Sequence, residues 1–175
     1  MSKKTDERGG SAATGTAVFS EDGRYRYRLS REWGTGPVAT FVMLNPSTAT
    51  ADVPDPTVTR CIRFAQSWGC GGLQVVNVYA LRSTDPKELW KVSAWERIGP
   101  DNDEHLRSVA ETAAALDWPV VGAWGANAKL ARISWVLRFP GMDRLSHLGL
   151  TKGGQPRHPL YLRADTPLTG WRCRP

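Results

Sequence analysis

The chain has 175 residues, 41% hydrophobic and 23% charged, which is one domain with a real core and excludes a disordered or fibrous protein. No apolar run approaches the roughly 18 residues of a membrane span, and the lysines of MSKKTDERGGSAATG precede no apolar segment, so neither a membrane protein nor a signal peptide is expected and a cytoplasmic location is. Net charge is +6, with four basic and eight acidic side chains in 83–117 but five basic and one acidic in 151–175, a distribution that suits a polyanionic partner near the C-terminus.

In chain order, residues 1–15 read as a disordered tail and 16–175 as a single domain. VFSEDGRYRYRLS (18–30) reads as a hairpin about Asp22-Gly23, with Tyr25, Tyr27 and Leu29 on an apolar face and Arg24, Arg26 and Arg28 on a cationic one. VATFVML (38–44) is a short apolar run, the pattern of a strand covered on both faces. TVTRCIRFAQSW (57–68) has helical spacing, with Val58, Cys61, Ile62 and Ala65 on one stripe, and Gly69, Gly71 and Gly72 stop it. LQVVNVYAL (73–81) is a second buried strand. Asp85-Pro86 with Glu88 marks a helix cap, and a short helix is expected over 86–95. Residues 102–116 form a helix with Leu106, Val109, Ala110, Ala113 and Leu116 on one side. PVVGAWG (119–125) is a third strand, ANAKLARISWVLRF (126–139) a helix stopped by Pro140-Gly141, and RLSHLGL (144–150) a fourth strand. Strands alternating with helices predict an α/β sandwich around a mostly parallel sheet.

In such sheets the ligand sits beyond the C-terminal ends of the strands. The stretch FVMLNPSTATADVPDPTVTRC (41–61) leaves the first core strand at Asn45-Pro46 and spends about ten polar residues before the next helix. The second strand carries Asn77 and runs on to Tyr79, Arg82 and Ser83-Thr84-Asp85; the third ends in Trp124-Gly125-Ala126-Asn127; the fourth leads to Arg157-His158-Pro159-Leu160-Tyr161. Polar and aromatic groups from four segments therefore converge on one rim. Asn45 fits a turn cap as well as a ligand contact. Asn77 sits inside an apolar run, where its amide must satisfy backbone or read a planar heterocycle. His158 fits an ordinary loop as well as a site.

No metal or cofactor is expected. His105, His147 and His158 lie far apart without H-x-E, H-E-x-x-H or C-x-x-C company, and Cys61, Cys70 and Cys173 are too few for an ordinary iron–sulfur cluster. There is no Walker loop, no G-x-G-x-x-G opening a helix and no G-x-S-x-G elbow; Ser47 lies at a strand end with no base evident beside it.

Taken together, LNPS, DPTVTRC, NVYALRSTDP, VVGAWGANA and RHPLYLR resemble, in that order over about residues 38–163, the motifs of the uracil-DNA glycosylase superfamily. With F-x-M-L-N-P-S-T-A, D-P-T-x-x-R-C, N-x-x-A-L-R-x-T-D-P and P-R-H-P-L-Y-L, the chain is also identified as a member of a bacterial and phage family, domain of unknown function 1643 (DUF1643), which brings no activity with it. The superfamily resemblance implies a three-layer α/β/α sandwich with a mostly parallel four-stranded central sheet plus the N-terminal β-hairpin. It implies a DNA glycosylase in which Asn45 orients a water, Asn77 reads a flipped base in a pocket with Pro46, Ser47, Tyr79 and Trp124, and His158 faces the departing base. Asp55 is the carboxylate that replaces the aspartate absent from LNPS, with a helix cap as its other reading. Leu160 stands where the superfamily has Ser, and the iron–sulfur cysteines of its thermophilic branch are absent.

Breaking an N-glycosidic bond needs a base out of the stack, a donor for its negative charge and a held water. Arg60, Arg82, Lys152, Arg157 and Arg163 are the candidates for phosphate contacts. The expected partner is DNA and the expected state a monomer. Two other readings stay open: a non-catalytic nucleic-acid or nucleotide-binding module, and an enzyme acting on free nucleotides.

Overall fold

Seven strands make one sheet in the computed structural model, which describes residues 14–47, 49 and 55–171. They are β1 (Thr14–Phe19), β2 (Arg26–Glu32), β3 (Val38–Met43), β4 (Gly72–Asn77), β5 (Val120–Gly122), β6 (Ser146–His147) and β7 (Thr169–Gly170), in the order β1-β2-β4-β3-β5-β6-β7. β3 is parallel to β4 and β5, and β5 to β6. The pairs β1–β2, β2–β4 and β6–β7 are antiparallel.

The expectation of a four-stranded sheet with a separate hairpin is thus corrected. The outer edges of β4 and β6 carry backbone N–H and C=O groups that need partners. β2 supplies them to β4, and Thr169–Gly170, which no sequence pattern marks, supplies them to β6. β1 opens at Thr14, so two residues read as tail belong to the sheet. The rest of that tail, together with Thr48, Arg172, Cys173 and Arg174, lies outside the described residues.

Helices cover both faces. α1 (Pro56–Ser67) packs Val58, Cys61, Phe64 and Ala65 against Ala39, Phe41 and Met43 of β3. The alternate residue Val42 faces the opposite core, with Leu106, Val109, Ala110 and Ala113 of a later helix. α2 (Ala94–Ile98) starts in a capping box between Ser93 and Glu96, and α3 (Asn102–Ala115) and α4 (Leu130–Val136) follow. The single helix expected over 86–95 is instead a 3₁₀ helix, Pro86–Lys91, and then α2, because the Ser93 cap starts a new element. Among the described residues no helix is long and apolar enough to cross a membrane.

α3 and α4 are clamped by a buried charge. Arg132 has Nη2 2.6 Å from Asp103 Oδ1 and donates through Nε to the Val78 carbonyl. Trp135 Nε1 donates to the other Asp103 oxygen. Asp103→Ala leaves that guanidinium without its carboxylate. The expected cost is about 2 kcal/mol, below that of a fully dry pair because the Asp103 side chain is 31% exposed. Thermal melting should show it as a fall of about 4–8 °C.

The chain leaves β3 through α1 toward β4 on one side and leaves β5 through α4 toward β6 on the other. The C-terminal ends of β3 and β5 are therefore a topological switch point, where diverging connections open a crevice.

Candidate functional site

A cavity of about 390 Å³ lies at that crevice. Met43, Leu44, Asn45 and Ser47 line it from the end of β3, and Asp55, Thr57 and Val58 from the start of α1. Asn77, Ser83, Thr84 and Pro86 come from β4 and its exit, and residues 124–127 from the exit of β5. His158 and Tyr161 close the side formed by the 3₁₀ helix Pro159–Tyr161. The four segments expected at the rim do meet at one cavity. α4 begins at Leu130, four residues later than its sequence pattern starts, and this frees Ala126 and Asn127 to line it.

Asn77 is the last residue of β4 and is 1% exposed. Its backbone carbonyl accepts from Asn102 Nδ2 at 3.0 Å. Among the described residues neither its Nδ2 nor its Oδ1 has a partner. A buried amide that nothing partners costs about 1–3 kcal/mol, and here a donor and an acceptor stand side by side in a cavity wall, open to a partner from within the cavity.

Asn45 behaves differently. Its Nδ2 donates to the Ser83 carbonyl at 2.9 Å and to the Pro46 carbonyl at 3.1 Å, and Ser83 N donates back to the Pro46 carbonyl. The amide stitches the exit of β3 to the exit of β4. With both hydrogens engaged, only its acceptor Oδ1 is left to hold a ligand or a water. Asp55 is the N-cap of α1, its Oδ1 accepting from Val58 N at 2.8 Å.

His158 caps the 3₁₀ helix through Nδ1, which accepts from Leu160 N at 3.3 Å. That contact assigns the proton of the neutral ring to Nε2, making it a donor. Burial pushes the imidazole below its ordinary range, opposed by the Asp55 carboxylate. Tyr161 lies beside it at 6.3 Å between ring centroids and is 81% exposed, an aromatic face at the rim. Trp124 is buried, its Nε1 donating to Gln155 Oε1 at 2.8 Å and its ring set edge-on to Trp171. Gly122 passes beneath that ring, where a Cβ would come within 3.0 Å of it.

Other expected residues lie elsewhere. Tyr79 sits in the α3–α4 core, its hydroxyl accepting from Lys129 N, and does not line the cavity. Pro46 is buried behind the rim. Arg60 donates to the Leu162 carbonyl and stacks over Phe64 on the outer side of α1, facing a shallow trough with Arg63. Arg82 donates to the Gly23 carbonyl and covers Phe19 on the hairpin. Lys152 and Arg157 are exposed, and Arg163 is paired with Asp165.

One lining residue was read only as part of the hairpin's cationic face. Arg26 is 3% exposed and reaches the cavity, its Nη1 donating to the Ala49 carbonyl. The cause is a β-bulge: Val18 pairs with Arg28 but Phe19 with Arg26, so Tyr27 is an extra residue. The alternation flips there. Leu29 joins the α1 core, Tyr25 and Tyr27 join the opposite one, and Arg26 turns inward. Burial brings its pKa down to about 10, against the pull of Asp55, so it stays cationic at neutral pH.

No curated protein matches the chain. The profile of a family described as protein of unknown function (DUF1643) matches residues 26–160, from the first residue of β2 into the 3₁₀ helix that carries the rim. With most of its length and every cavity-lining residue but Tyr161 inside that match, the chain belongs to the DUF1643 family.

Proposed function

We propose that this protein is a DNA glycosylase-like enzyme that takes a flipped base into the cavity and hydrolyses its N-glycosidic bond, on the three-layer plan of the uracil-DNA glycosylases. The observation that carries the reading is Asn77: a buried carboxamide with both polar atoms unpartnered, in a cavity at the switch point of a mixed sheet. An adjacent donor and acceptor in a buried wall match the hydrogen-bonding edge of a base. His158 Nε2–H supplies a donor for the negative charge of the departing base. Asn45 Oδ1 holds the water whose oxygen bonds to C1′ as the C1′–N bond breaks. The electron pair leaves with the base, and the water's proton passes to the base or to solvent. The trough of about 540 Å³ along α1, with Arg60 and Arg63, is lined also by Pro56 and Leu160, the chain neighbours of the cavity residues Asp55 and Tyr161, and suits the phosphates of a strand better than a free nucleotide.

The test is excision from oligonucleotides carrying uracil, hypoxanthine, xanthine or bulky modified bases, with alkaline cleavage of abasic sites as readout. Excision of one base, reduced about a hundredfold in Asn45→Ala, is the expected result. Unchanged excision in Asn45→Ala would remove that residue from the water site. A second reading has an observation of its own: Asp55 spends Oδ1 on the Val58 N–H, which leaves the cavity poor in general base and favours a module that binds without cleaving. Salt-sensitive DNA binding with no excision would select it.

A further inference from the structure

We propose that the occupant of the cavity is a nucleobase carrying negative charge, and that Arg26 is the group that receives it. This deepens the base-pocket reading by naming the charge of the occupant. The negative charge has two sources with one chemistry: an acidic substituent on the base, or the charge a base acquires as it ionises or departs.

The argument starts from position. Arg26 is 3% exposed, lines the cavity, and is the sole cation among its described lining residues, since burial lowers the His158 pKa and favours its neutral ring. The β-bulge at Tyr27 turns it inward, away from the face that strict alternation gives it. Bulges beside sites serve to re-aim one side chain.

The second step is its unspent bonding capacity. Nη1 is used by the Ala49 carbonyl, Nε has no partner, and no ion pair joins Arg26 to a carboxylate among the described residues. The carboxylate lining the same cavity, Asp55, commits Oδ1 to the cap of α1. Among the charges that act on Arg26, Asp55 favours its charged form, and Arg82 and Arg31 oppose it. A guanidinium buried without a paired anion is expensive, and an anionic ligand repays that expense through charge-assisted bonds.

The third step is the neighbour. Asn77 offers the same cavity an unpartnered donor and acceptor, which fit the polar edge of the base. Edge recognition by Asn77 and charge recognition by Arg26 are separable functions, and the test uses that.

Calorimetry on the full chain at low salt would measure free uracil at neutral pH, uracil at the alkaline onset of its ring N–H ionisation, kept below the pKa of about 10 so that Arg26 stays charged, 5-carboxyuracil, and the neutral isostere 5-carbamoyluracil. The expected result is that at least one anion binds about tenfold tighter than its neutral counterpart. A gain for 5-carboxyuracil assigns the charge to a substituent, and a gain for ionised uracil assigns it to departure. In Arg26→Gln the preference should disappear while neutral base still binds through Asn77; in Arg26→Lys it should persist at neutral pH. Melting curves check that both variants fold. Equal binding of charged and neutral ligands by the unaltered chain overturns the proposal without any variant. So does a preference that survives Arg26→Gln in a folded protein, and so does the absence of binding by all four. The excision assay reports separately: anion preference without cleavage keeps this inference and ends the glycosylase reading, and cleavage without anion preference does the reverse.

Discussion

Asn77→Leu is expected to melt above the unaltered protein and to lose its base. The two effects have one cause. Asn77 buries a carboxamide whose donor and acceptor meet no partner among the described residues. Leucine is close to it in size and brings no polar atom to desolvate, so the substitution should stabilise the free protein by about 1 kcal/mol, or about 2–4 °C in melting temperature. The Asn77 carbonyl, which receives Asn102 Nδ2, is backbone and survives the change. A base entering the variant would leave two edge groups unpaired against a methyl surface. Sites built on hydrogen bonds reject such mismatches strongly, and a loss of about a thousandfold in excision is expected. A structural asparagine would give the reverse pattern: lower melting and unaltered ligand binding. Differential scanning calorimetry beside the excision assay separates the two.

How much of this was legible depends on the range of the interactions involved. Local punctuation carried far: Asp55 before Pro56, the glycines 69, 71 and 72, and the apolar runs at 38–44 and 73–81 locate β3, α1 and β4 to within a few residues. The strand-end rule then brings Asn45, Ser47, Asn77, Trp124 and His158 to one cavity without any knowledge of contacts. Tyr79 was placed there because the second strand was read as running on past Asn77 to reach it. β4 ends at Asn77, however, and residues 78–81 leave the sheet to bond Met43, Leu44, Ile98 and Arg97, which carries Tyr79 into the other core. Arg26 was missed for a related reason. A bulge is decided by pairing with a partner strand, and no periodicity within 18–30 reports it. The five cations chosen as phosphate contacts share only their sign; Arg82 and Arg60 are aimed by the Gly23 and Leu162 carbonyls, which lie far away in sequence.

His158→Ala should cut excision by about a hundred- to a thousandfold, the usual consequence of removing one donor from a developing anion. The more informative result is the pH profile. Leu160 N–H points at Nδ1, so the ring that fits this site is neutral with its proton on Nε2. Burial lowers the His158 pKa from its ordinary 6.5. The neutral form therefore prevails from pH 6.5 upward, and activity should be flat there as far as this residue is concerned. Below 6.5, as pH falls through the lowered pKa, a proton on Nδ1 would face the Leu160 N–H, and activity should decline. Stability follows the same sign: a histidine whose folded pKa is depressed contributes stability present above its unfolded pKa and lost as pH falls through the folded one. His105 and His147 share the direction, both through burial. The acid loss of stability is thus common to three residues, whereas the acid loss of activity belongs to His158. His158→Gln distinguishes them, because glutamine keeps a donor but does not titrate. Its residual excision should lose the acid limb while its melting temperature still falls below pH 6.5 with the other two histidines. An acid limb that persists in His158→Gln would mean that another group controls the departing base, and the role assigned to Nε2 would pass to it.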